Sequence, residues 1–140
     1  MRLLAKLLSH DLGYIHGLKE SGPNGAKKQF HTTGRAFLSA LGKDLDFTEK
    51  KVYSNKAGIA VSGEVCLRGM WSTNNGLDVL LYQDLTGKNC ILYRNTRQKK
   101  DYTGGKNRYI SLNTLRNADY EGLLLELFAF KEDRYERRAA

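Results

Sequence analysis

A chain of 140 residues with 41% hydrophobic and 27% charged side chains is long enough to bury a core without disulfide staples and too apolar for a disordered tail. Its longest apolar runs, such as Leu123-Leu124-Leu125, fall far short of the ~20 residues of a spanning helix, which argues against a membrane protein. The formal net charge of +8 points toward polyanionic partners.

Residues Arg2 to about Leu12 fit a short helix, with Leu3, Leu4, Leu7 and Leu8 on one stripe. The opening Met-Arg-Leu-Leu-Ala has the look of a signal peptide, but Lys6 interrupts the apolar stretch and His10-Asp11 follow, so a cytoplasmic protein is expected. Gly17 to Gln29 reads as a loop around Pro23-Asn24-Gly25. A second helix is predicted after His31-Thr32-Thr33, where a threonine hydroxyl caps the first turn, and Phe37, Leu38, Leu41 and Leu45 then share a face. Gly42 weakens its interior, and fraying is expected by Asp46.

Strands follow. Lys51–Asn55 is one; Ile59, Val61, Val65 and Leu67 at alternate positions mark a half-buried second, with Ser62, Glu64 and Arg68 on its other side. Asn74-Asn75-Gly76 predicts a hairpin turn into Leu77–Gln83, and Asp84–Asn89 a turn into Cys90–Arg94. A last strand is expected over 108–112. Asn117 or Asp119 can cap a final helix whose Tyr120, Leu123, Leu124, Leu127 and Phe128 recur at helical spacing. The whole is expected to be a single domain, 1–140, of α+β class: an antiparallel meander of four to five strands with N-terminal and C-terminal helices packed on one face. The other face of the sheet is then free, with Glu64 and Arg68 on it.

Charge is concentrated. Lys88 to Tyr109 holds Lys88, Arg94, Arg97, Lys99, Lys100, Lys106 and Arg108 against the single acid Asp101, a net of +6. Tyr93, Tyr102 and Tyr109 are interleaved with these cations. Basic residues neutralise phosphates and aromatic rings stack on bases, so the pattern suits nucleic acid. Arg94, Arg97, Lys99, Lys100, Lys106 and Arg108 are the expected phosphate contacts, with Tyr102 the stacking ring. Gly104-Gly105, with Thr103 and Lys106, offers a small anion cradle without matching the P-loop pattern. The plain alternative is a solvated loop whose tyrosines pack over the sheet edge.

Trp71 and Tyr109 are candidate anchors for a protein partner, although a lone tryptophan at a strand end more often covers the rim of a core. His10, His16 and His31 lack paired spacing and neither Cys66 nor Cys90 has a neighbour at zinc spacing, so no metal or other cofactor is expected. The two thiols read as reduced, buried strand residues. No catalytic motif occurs; Ser62-Gly63-Glu64 lies in mid-strand, and Glu64, Asp78, Asp84 and Asp101 form a site only where the fold unites them.

Gly58-Ile59-Ala60-Val61-Ser62-Gly63-Glu64-Val65 and Lys100-Asp101-Tyr102-Thr103-Gly104-Gly105-Lys106-Asn107 resemble stretches of small, uncharacterised phage and plasmid proteins. The resemblance covers the sheet and its basic loop and carries no activity, so no site residue follows from it. It implies a mobile-element product, a setting in which small proteins act on nucleic acid or on host defence machinery. Three readings stand. The first is a non-enzymatic protein contacting nucleic acid or a nucleoprotein complex through the basic loop. The second is a protein-binding inhibitor of a host defence complex, of anti-CRISPR or anti-restriction type. The third is a metal-dependent nuclease or phosphate-transfer enzyme using Asp101 or Glu64. Oligomeric state is not legible in the sequence.

Overall fold

The computed structural model describes residues 26–55, 63–83, 89–97, 106–112 and 120–132. Helix α1 spans Ala26–Asp44 and helix α2 spans Tyr120–Glu132. Between them run β1 (Glu49–Asn55), β2 (Glu64–Ser72), β3 (Asn75–Gln83), β4 (Asn89–Thr96) and β5 (Arg108–Ser111). The strands pair in chain order, each antiparallel to the next, which makes a five-stranded meander within an α+β fold. The helix expected over Arg2–Leu12 and the Pro23 turn lie outside the described residues.

Helix α1 starts well before the position read from the sequence. Phe30 extends the apolar stripe of Phe37, Leu38, Leu41 and Leu45 by a further two turns, and all five are fully buried. Thr33 is thus a buried interior residue of the helix rather than its cap. Gly42 is also reinterpreted. A Cβ there would meet Leu67 Cδ1 and Lys50 Cδ, each at 3.1 Å, so the missing side chain lets α1 lie close against the sheet. The helix ends in a left-handed residue, Asp46 (φ 60°), whose N–H donates to the Lys43 carbonyl at 3.1 Å.

Register sorts the sheet into two faces, because successive side chains point to opposite sides. Val65, Leu81, Ile91 and Ile110 line up across the strands, as do Leu67, Val79 and Tyr93. These residues share one core with both helices. The Tyr120 hydroxyl donates to Asp44 Oδ2 at 2.5 Å, tying α2 to the end of α1, and the Tyr93 hydroxyl donates to Glu126 at 2.7 Å, tying α2 to β4. Both helices therefore cover the same face.

The β2–β3 turn falls at Thr73-Asn74, one residue earlier than expected, beside an irregularity between Met70 and Ser72. Asn75 is drawn into β3, and its amide donates to the carbonyls of Phe130 and Lys131 at 3.3 and 3.0 Å. One side chain thus satisfies two of the orphan carbonyls at the end of α2. No helix among the described residues is long and apolar enough to cross a membrane.

Candidate nucleic-acid interface

The face of the sheet turned away from α1 and α2 carries two transverse rows. Tyr53, Cys66, Leu80, Leu92 and Tyr109 are successive cross-strand partners from β1 to β5. The next row, two residues along, holds Lys51, Arg68, Asp78 and Arg94. A groove of about 720 Å³ opens over the β1–β4 part of these rows. Its charged lining is Glu49, Lys50, Lys51, Arg68, Asp78 and Arg94, four cations against two acids.

Asp78 organises the second row. Its side chain is only 5% exposed and receives both flanking arginines. Arg68 Nε donates to Oδ1 and Arg68 Nη2 to Oδ2 at 2.6 Å, while Arg94 Nε donates to Oδ2 at 3.2 Å. Two guanidiniums on one carboxylate leave a local excess of positive charge in a partly desolvated setting, where it acts more strongly than in bulk water.

The first row is bounded by rings. Tyr53 is 41% and Tyr109 63% exposed, while Leu80 and Leu92 between them are half-buried. Tyr53 stands directly across from Cys66 in the β1–β2 register, and the Lys51 ammonium lies 5.3 Å from the Tyr53 ring centroid. Burial, with a smaller push from the Glu64 carboxylate, raises the Cys66 thiol to about 11. At neutral pH that buried thiol stays protonated. The face read as free of helices is partly filled by its own side chains: two arginines fold onto Asp78, and Cys66, Met70 and Asp78 are all buried.

The basic segment joins two paired strands, since the chain leaves the sheet at the end of β4 and returns at β5. Arg97 and Lys106 stand exposed at its two feet. Lys99, Lys100, Tyr102 and the Gly104-Gly105 cradle lie outside the described residues. Arg94 sits in the ion-paired row, 14% exposed at its side chain, with its guanidinium on Asp78. Arg108 lies on the other face of the sheet from the ion-paired row. Paired with Tyr93, it belongs to the helix-covered face, where its guanidinium lies 5.4 Å from the Phe130 ring centroid. The alternation of a strand sends Tyr109 to the opposite side, where it is exposed.

Trp71 is 8% exposed, its indole N–H donates to the Leu45 carbonyl at 2.7 Å, and its ring lies between Phe47 and Phe128. It is a core residue, in line with the plain reading of a lone tryptophan at a strand end. The sequence reading leaves Lys51 and Tyr53 unmarked, names Asp78 only among carboxylates that could meet, and puts Arg68 only on this face. Only the register, which brings them beside Arg94, gives them a common location.

Chemistry elsewhere is sparse. Among the described residues no group of three His, Cys, Asp or Glu side chains is placed to hold a metal ion. Glu64 lies at the far end of β2, half-exposed and accepting from the Asn55 amide at 3.3 Å. On the helix side, His31 Nδ1 lies 3.0 Å from Ser54 Oγ, and Arg35 Nη1 donates to the same oxygen at 2.7 Å. These contacts fasten α1 to the edge strand β1. No protein-family model matches the chain, and comparisons with curated proteins and with solved structures return no match either.

Proposed function

We propose that this protein is a non-enzymatic, cytoplasmic binding module that contacts nucleic acid, or a nucleoprotein complex, through the outer face of its sheet and the basic β4–β5 connection. The observation that carries the reading is the alignment of a net-positive row, Lys51, Arg68, Asp78 and Arg94, beside a row ended by two exposed tyrosines. Phosphates need fixed positive charge and bases need an exposed ring, and both lie here within adjacent rows of one sheet. Arg97 and Lys106 extend the charge to the segment that also holds Lys99, Lys100 and Tyr102.

Replacing Arg97 and Lys106 together by glutamate tests it. Four charge units are lost from the exposed feet of the segment without touching a buried residue. Oligonucleotide binding should fall at least 10-fold at low salt, because each lost phosphate contact lowers both affinity and its salt slope. Unchanged binding in a folded variant would remove the segment from the interface. A protein target, such as a component of a host defence complex, is the second reading. It is favoured by Tyr109, 63% exposed on the edge strand β5, an aromatic of the kind enriched at protein interfaces.

A further inference from the structure

We infer that the ligand of the outer face is single-stranded nucleic acid, laid across the strands with bases stacked on Tyr53 and Tyr109 and its backbone along the Lys51–Arg68–Arg94 row. This rests on the proposed nucleic-acid reading and names the form of the partner. Tyr53 and Tyr109 belong to the two edge strands and are linked by an unbroken line of cross-strand pairs through Cys66, Leu80 and Leu92. Four inter-strand steps separate them by ~19 Å. The line between them is apolar, which suits sugars and base edges that have left water.

The cations are offset from this line by two residues along the strands, ~7 Å, on the same face. A strand of nucleic acid crossing the sheet therefore meets charge on one flank and rings on its path. A duplex has its bases already stacked and offers nothing for Tyr53 or Tyr109 to pair with. Duplex readout also calls for an element that enters a groove, and both described helices are packed on the opposite face of the sheet. Tyrosine at the two ends gives stacking without base selection, so the preference is for strandedness and not for sequence.

The test measures affinity for an oligothymidylate of about 12 nucleotides, a length within the site sizes of sheet-based single-strand binders, and for a duplex of the same length. Wild type is set beside Tyr109→Ala, Tyr53→Ala and the ring-conserving Tyr109→Phe and Tyr53→Phe. The single strand should bind at least 10-fold more tightly than the duplex. Each alanine variant should weaken single-strand binding on the order of 10-fold while duplex binding stays constant, and the phenylalanine variants should retain the single-strand affinity. Equal affinity for both forms, or alanine variants that bind like wild type, would overturn the stacking inference and leave the nucleic-acid reading standing. Failure of wild type to bind either form would overturn both.

Discussion

Neutralising Asp78 tests the charge network from two directions. In Asp78→Asn the side chain keeps its shape and one acceptor oxygen but loses the charge that holds Arg68 and Arg94. The carboxylate is 5% exposed and the two guanidiniums 19% and 14%, so water screens the loss only in part. Breaking a buried ion pair by removing one partner costs ~3–5 kcal/mol, and the residual exposure of both arginines places this case at about 3 kcal/mol. For a chain of this length that corresponds to a fall in melting temperature of roughly 10 °C. Urea unfolding of both proteins, followed by the fluorescence of Trp71, supplies the free-energy difference. Under conditions where both are folded, the variant should bind oligonucleotides more tightly and with a steeper salt slope, because the outer face has gained a unit of positive charge. A loss below about 1 kcal/mol would refute the assignment of Asp78 as the keystone of the row, since that is the scale of an exposed pair.

Three further outcomes follow from the packing. Gly69→Ala places a Cβ 2.2 Å from Phe47 Cδ2, and Phe47 is itself packed on Trp71, so the variant should lose ~1–3 kcal/mol in chemical denaturation; a neutral result would mean that Phe47 swings aside freely. Burial, reinforced by the carboxylate each hydroxyl donates to, raises the pKa of Tyr93 and Tyr120 above the ordinary 10.0. Their contribution to stability is therefore complete below about pH 10 and is lost as pH rises beyond it, because the unfolded chain releases those protons first. Tyr93→Phe and Tyr120→Phe should each flatten the alkaline fall of the urea midpoint, and a slope identical to wild type would contradict the assignment. Finally, with its thiol raised to about 11 and 6% of the residue exposed, Cys66 should react slowly with a thiol reagent at about pH 8 and rapidly once denaturant is added. Fast labelling of the native protein would show that the face opens.

The fold was more legible than the site, and the reasons are particular. Tyr120, Leu123 and Leu127 recur at helical spacing and are all buried, so the C-terminal helix followed directly from periodicity. The start of helix α1 is masked in the sequence by Thr32-Thr33, whose hydroxyls make a good capping sequence, whereas the burial of Phe30 upstream carries the helix back to Ala26. The Arg68–Asp78 pair was hidden by register. A turn centred on Asn75 sets Arg68 opposite Tyr82, whereas the observed turn at Thr73-Asn74 sets it opposite Asp78. Such slips matter because every cross-strand neighbour depends on the turn. Asn75 explains the shift, and its partners on α2 lie more than fifty residues away in sequence. Arg108 and Tyr109 were grouped by charge and aromaticity, yet adjacent strand residues face opposite ways.

The central claim is that the outer face and the basic connection bind nucleic acid, and a fluorescence-anisotropy titration of the full chain with labelled oligonucleotides across a salt series tests it most directly. With about four phosphate contacts, affinity should fall roughly 50-fold for single strands, or roughly 150-fold for duplex, between about 50 and 200 mM salt. That log-linear decline is the predicted result. Absence of binding to either form at the lowest salt would contradict the account and assign the cations of this face to an acidic protein surface.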